Sequence, residues 1–125
     1  MPVTVLVIDD DVRFRSLAAR MLSDRDVIVV GEAGSVAAAV EAAHELRPEA
    51  ALVDIGLPDG DGLELARRLA ALPWSPRVVL TSSDRDATTR EDAIRAGAAA
   101  FVPKDDLPDA EVHRLLAGDA DLEYG

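Results

Sequence analysis

The chain contains no cysteine, which excludes disulfide staples, thiolate zinc sites and thiol nucleophiles and leaves the redox compartment unmarked. It lacks any apolar stretch near the roughly 20 residues that a membrane-spanning helix requires. No charged-then-apolar leader precedes the first strand pattern, which Met1-Pro2-Val3 enters directly. The expectation is a soluble, unexported, cytoplasmic protein with no membrane partner. Positive charge is also scarce: 13 Lys and Arg stand against 24 Asp and Glu, a formal net charge of -11. That balance argues against nucleic-acid binding through this chain, because such affinity comes largely from cations neutralising phosphates. Lysine is scarcer still, since Lys104 is the sole one and arginine fills every other basic position. A single lysine after an apolar run points to a task suited to a compact ammonium on a flexible stem rather than a planar fork. Repeats, linkers and low-complexity segments are missing too, and 125 residues suffice for one domain with a real core.

What is present is a regular alternation of strand and helix signals. Apolar runs predict strands at Val3 to Ile8, Val27 to Val30 (closed by Gly31), Ala50 to Val53, Val78 to Leu80 and Ala100 to Val102. Between them, Phe14, Leu17, Ala18, Met21 and Leu22 stripe one helix face, with Asp11 as its cap. Ser35 caps a second helix carrying Val36, Ala39, Val40 and Ala43, which ends by Pro48. Leu65, Leu69 and Leu72 mark a third, stopping before Pro73. The stretch from Asp84 to Ala96 has only a thin stripe, chiefly Ala87 and Ile94, and ends at Gly97 as a C′ residue. Val112, Leu115 and Leu116 give a short last helix before Gly118 and an acidic tail ending in Tyr124 and Gly125. The Gly, Pro and Asp cluster IGLPDGDG after Asp54 reads as loop. His44 and His113 read as surface residues, and Trp74, between Pro73 and Pro76, as a loop packing anchor.

Strict alternation implies an α/β fold: a single doubly wound (βα)5 domain with a five-stranded parallel sheet. Right-handed crossovers favour the flavodoxin-like strand order 2-1-3-4-5, in which strands one and three flank the switch point where ligands bind. Asp9 and Asp10 end the first strand, Asp54 the third, Thr81 the fourth, and Lys104 follows the fifth. Three carboxylates, a hydroxyl and an amine therefore converge on one sheet edge. Acids so crowded repel one another unless a hard divalent cation, magnesium with manganese as a substitute, sits among them. A carboxylate can also act as a nucleophile toward phosphorus, a step helped mainly by positioning and charge neutralisation. Asp54 is the candidate acceptor, with magnesium, Lys104 and Thr81 as its helpers.

The segments VLVIDDD, VVGEAGS, ALVDIGLPDGDGLEL, VVLTSSD and AIRAGAAAFVPKDDL together resemble the receiver domains of two-component response regulators. The resemblance spans nearly the whole chain, implying a receiver over residues 1–118 and an acidic tail over 119–125. It implies that Asp54 takes a phosphoryl group from a sensor histidine kinase or a histidine phosphotransfer protein. It further implies that Asp10 and Asp54 bind magnesium directly, Asp9 through water and Gly56 through its carbonyl. Thr81 and Lys104 would contact the phosphoryl oxygens, and Phe101 matches the aromatic that turns inward as Thr81 moves. The implied output is a changed partner surface toward a downstream domain or protein, a phosphorylation-dependent homodimer being one form of it. Such a domain assists only its own phosphorylation and dephosphorylation and is not an enzyme with an external substrate. VVGEAGS looks most like receivers joined to helix-turn-helix output domains. One departure is Asp105, where many members carry proline after the lysine.

Two other classes compete. A haloacid-dehalogenase-like phosphatase also uses an aspartyl-phosphate, but its DxDx[TV] pattern fails here at Arg13. A pseudo-receiver would bind partners without phosphorylation. Such domains generally lose an acid, the threonine or the lysine, and this chain keeps them all.

Overall fold

The computed structural model describes residues 2–23, 27–108 and 112–118. The acidic tail lies outside the described residues. Five strands form one parallel sheet: β1 (Val3–Ile8), β2 (Val27–Ala33), β3 (Ala50–Asp54), β6 (Arg77–Ser82) and β7 (Ala100–Pro103). Their spatial order is β2-β1-β3-β6-β7, which is the expected 2-1-3-4-5 when the sheet strands are counted in sequence. Two further strands, β4 (Gly56–Leu57) and β5 (Gly60–Asp61), pair antiparallel as a small hairpin within the predicted loop.

The helices are α1 (Val12–Leu22), α2 (Val36–Leu46), α3 (Gly62–Ala70), α4 (Arg90–Arg95) and α5 (Val112–Ala117). Because strand side chains alternate between faces, the sheet divides the core in two. Leu6, Ile8, Ala51, Val53, Val78, Leu80 and Phe101 pack with residues of α2, α3 and α4. Val5, Val7, Leu52, Val79 and Val102 pack with Ala18 and Leu22 of α1 and with Val112, Leu115 and Leu116 of α5. Helices thus cover both faces, and the carboxyl edge of the sheet is left for the loops.

Several boundaries differ from the sequence reading. Gly31 does not close β2; the strand runs on to Ala33, because a bulge skips Val30 between the pairs Val5–Val29 and Leu6–Gly31 and restores the pairing beyond it. The predicted fourth helix starts at Arg90 rather than Asp84. The Ser82 hydroxyl accepts from Asp84 N–H (3.0 Å) and the Asp84 carboxylate from Asp86 N–H (2.9 Å), holding the preceding segment in side-chain turns that compete with helix. Ile94 and Leu17, placed on buried stripes by their spacing, are instead more than half exposed. The expected helix ends are met elsewhere. Asp11 accepts from Arg13 N–H (2.9 Å), and Gly97 follows α4 with φ +89°, a left-handed conformation that favours glycine. Trp74 donates its indole N–H to the Pro48 carbonyl (2.9 Å) and lies under the Arg47 guanidinium, 4.4 Å from the ring centre, as a packing anchor would.

Candidate functional site: an acidic cluster at the carboxyl edge of the sheet

Strand register brings the site together. Ile8 pairs with Val53, so Asp9 and Asp54 leave neighbouring strands at the same level. Asp54 is level with Thr81, and Thr81 with Val102, two residues before Lys104. Carboxylate oxygens of Asp9, Asp10 and Asp54 lie within 4.8 Å of one another. Asp9 is fully buried, Asp54 nearly so, and Asp10 exposed at the mouth. A groove of about 600 Å³ lies at the opposite edge among Val3, Arg77, Gly97 and Leu116, away from these acids. Chemistry rather than volume therefore locates the site.

Each group is held by identifiable partners. Asp9 Oδ1 accepts from Asp11 N–H (2.9 Å), while Oδ2 is buried with no aligned hydrogen-bond donor. Its countercharge is Lys104, whose Nζ lies 2.7 Å from that oxygen and 3.6 Å from Asp54 Oδ2. The ammonium also sits 4.1 Å from the ring centre of Phe14, a cation–π contact that steadies the lysine. Asp54 Oδ1 accepts from Gly56 N–H (3.1 Å), and Thr81 Oγ1 donates to the Val102 carbonyl (2.7 Å). Lys104 opens a single 3₁₀ turn ending at Asp106.

The electrostatics follow from this crowding. Burial pushes the Asp54 pKa up from the ordinary aspartate value; the Gly56 N–H and Lys104 pull it down, and Asp9 and Asp10 push it up again. For Lys104, burial alone would lower the pKa, but the Asp9 and Asp54 carboxylates prevail and raise it. One ammonium thus faces two of the three carboxylates, Asp9 and Asp54. The donor set fits magnesium: hard oxygens, excess negative charge, and a buried Asp9 oxygen that faces the Lys104 ammonium.

Several supports were not legible from local pattern. Arg15 donates from Nη1 to the Asp9 carbonyl (2.6 Å) and from Nε to Glu32 (3.1 Å), tying the end of β1 to α1 and β2. Gly62 begins α3 so close beneath the site that a Cβ there would stand 2.5 Å from the Asp54 carbonyl oxygen. Phe101 is brought not to the acidic edge but into the core on the α4 side, with Ala93 and Ala96, and is 8% exposed. Arg85 forms a two-pronged pair with Asp106 (3.0 and 2.6 Å), joining the loop after β6 to the turn after Lys104.

The family profile of the response regulator receiver domain matches residues 5–115, and the chain belongs to that family. It is 43% identical over 105 residues to the DNA-binding transcriptional activator DevR/DosR of Mycobacterium tuberculosis, covering 82% of this chain and 48% of that protein. It is 38% identical over 105 residues to a protein-glutamate methylesterase/protein-glutamine glutaminase of Nocardioides sp., covering 82% of this chain and 29% of that one. Among solved structures, the response regulator domain of Thermotoga maritima CheB matches with a TM-score of 0.74 at 30% identity, over 95% of this chain and 90% of that chain. The chain spans about half or less of the length of those two relatives. None of the described helices is long and apolar enough to cross a membrane.

Proposed function

We propose that this receiver domain accepts a phosphoryl group on Asp54 from a phosphohistidine of a sensor kinase or phosphotransfer protein. The observation that carries this reading is the meeting of Asp9, Asp10, Asp54 and Lys104 at one edge, with Thr81 in register beside Asp54. An Asp54 oxygen forms the new O–P bond as the N–P bond of the donor breaks. The electron pair stays on the imidazole nitrogen, which takes up a proton. Asp9, Asp10, Asp54 and the Gly56 carbonyl would hold magnesium or manganese, which supplies charge neutralisation for the incoming phosphoryl oxygens. Lys104 neutralises another of those oxygens from its place between Asp9 and Asp54.

Transfer replaces the single carboxylate charge at the end of β3 by a phosphoryl group carrying up to about two negative charges. The Thr81 hydroxyl then leaves the Val102 carbonyl for a phosphoryl oxygen, giving up a buried link between β6 and β7. That exchange moves the loop after β6 and with it the surface of α4, β7 and α5, which carries the output. Phe101, already packed beneath α4, would follow by repacking in place. The relatives' lengths support an output segment joined to receivers of this type, acting on DNA or through another domain. A phosphorylation-dependent homodimer is a further form of output, and the work is cytoplasmic.

Phosphoramidate, whose P–N bond stands in for phosphohistidine, provides the test. With magnesium, phosphate-affinity electrophoresis should show one retarded species that is absent in Asp54→Asn and in chelator. A wild-type protein that stays unshifted argues for an interaction module that works without phosphorylation.

A further inference from the structure

We propose that Asp59 is a positioning residue for the metal site, clamping the hairpin that carries Gly56 onto the start of α2. The inference rests on the magnesium reading above. The hairpin has only two rungs, Gly56–Asp61 and Leu57–Gly60, and a two-stranded hairpin of that size has little stability of its own. Gly56 has no side chain with which to anchor itself. Its N–H is bonded to Asp54 Oδ1 and its neighbour Leu57 is buried, and beyond these the position of its carbonyl depends on what holds the two ends of the hairpin and its tip.

The ends are held by the backbone. Gly62 N–H donates to the Ile55 carbonyl (3.0 Å), and Asp61 caps α3 by accepting from Leu63 N–H (2.9 Å). Leu57 buries its side chain in the core and anchors the first rung; beyond it, the exposed tip reaches α2 through Asp59. Its Oδ1 accepts from Val36 N–H (2.7 Å) and its Oδ2 from Ala37 N–H (3.1 Å), so the carboxylate spans the first turn of α2. These two bonds lower the Asp59 pKa, as expected for a carboxylate on helix N–H groups. Ser35 takes the next donor, Ala38 N–H (3.1 Å). Gly60 completes the approach, since a Cβ there would lie 3.0 Å from Val36 Cγ2. Helix α2 is itself fixed by Ala39 and Ala43, both fully buried. A rigid helix thus holds the loop three residues beyond Gly56; partners bonded directly to a metal ligand set affinity by about tenfold or more, which bounds the effect of a residue acting through the loop.

Ser35 supplies the control, because it caps the same helix without touching the hairpin. Magnesium chloride is titrated calorimetrically into wild type, Asp59→Asn, Asp59→Ser and Ser35→Ala, and urea unfolding in chelator measures the stability of each. Asp59→Ser, whose shorter side chain falls short of both α2 N–H groups, should weaken magnesium by up to about tenfold, with Asp59→Asn, which keeps one acceptor oxygen at the same reach, in between. Ser35→Ala should lose stability comparably while binding magnesium as wild type does. Wild-type affinity in both Asp59 variants overturns the proposal, as does an equal loss in Ser35→Ala, which would trace the effect to the helix alone. Absence of magnesium binding in wild type is a separate failure that removes the metal reading itself.

Discussion

The Lys104 ammonium lies 2.7 Å from an oxygen of Asp9 that is otherwise without a hydrogen-bond donor, and Asp9 is fully buried. The lysine thus places a countercharge directly against a buried carboxylate. Removing one partner of a buried pair leaves the other uncompensated, at a cost on the order of 3 kcal/mol. Lys104→Met should lose about that much in urea unfolding in chelator at neutral pH. The raised lysine pKa places the whole loss there, since its contribution is complete below the ordinary lysine value and fades as pH rises through the folded one. Adding Asp9→Asn should recover most of the loss. Simple additivity of the two substitutions would show that the pair is not coupled.

Asp54 has the opposite consequence. Its pKa is raised, mainly by burial, so its favourable contribution exists below the ordinary aspartate value and is lost as pH rises through the folded value. In chelator, Asp54→Asn should therefore melt higher than wild type at pH 7, and the two curves should converge toward about pH 4. Magnesium should raise the melting temperature of wild type more than that of the variant. A wild type that is the more stable of the two at pH 7 without metal would contradict this account of the cluster.

Gly62 sets a steric limit beneath the acceptor. A methyl group there would meet the Asp54 carbonyl oxygen and the Ile55 Cα, each at 2.5 Å, and neither is the movable tip of a side chain. Gly62→Ala should cost about 1–3 kcal/mol, the usual range for overpacking, and should slow phosphorylation by shifting the end of β3. Gly56→Ala, whose Cβ would lie 4.0 Å from Asp54 Oδ1 in ordinary contact, should leave stability near wild type. Paired chemical denaturation and phosphorylation rates would distinguish the two sites.

Thr81 donates to the Val102 carbonyl from a fully buried position. Thr81→Val keeps the shape and removes the bond, so stability should fall by about 1 kcal/mol. Phosphoryl transfer should continue, because Asp54 and Lys104 are untouched. The spectral response of α4 and β7 to phosphorylation should be lost, and amide chemical shifts of Phe101 and Val102 in the two states would report it.

How much could be read beforehand follows from the range of each interaction. The sheet and its acidic edge were legible because strand-ending residues such as Asp54 and Thr81 carry their own signal, and parallel register needs only short apolar runs. Asp11 and Ser35 were legible as caps because each acts within three residues. Asp59 was not, since its partner Val36 is 23 positions away. Arg15 escaped likewise, because its acceptors lie just after β1 and within β2. Leu17 and Ile94 were misplaced for another reason: helical spacing marks an apolar stripe but not whether anything covers it. Phe14 was assigned to the core by spacing, and its contact with the ammonium appears only once Lys104 folds over it.

The central claim is that Asp54 becomes esterified, and the acyl phosphate can be trapped chemically. The protein is treated with acetyl phosphate and magnesium, reduced with borohydride so that an aspartyl-phosphate becomes homoserine, and digested for peptide mass mapping. Conversion should be confined to residue 54 and should disappear in chelator and in Asp54→Asn. Conversion at Asp9 or Asp10 instead, or none anywhere in a protein that binds magnesium, would contradict it.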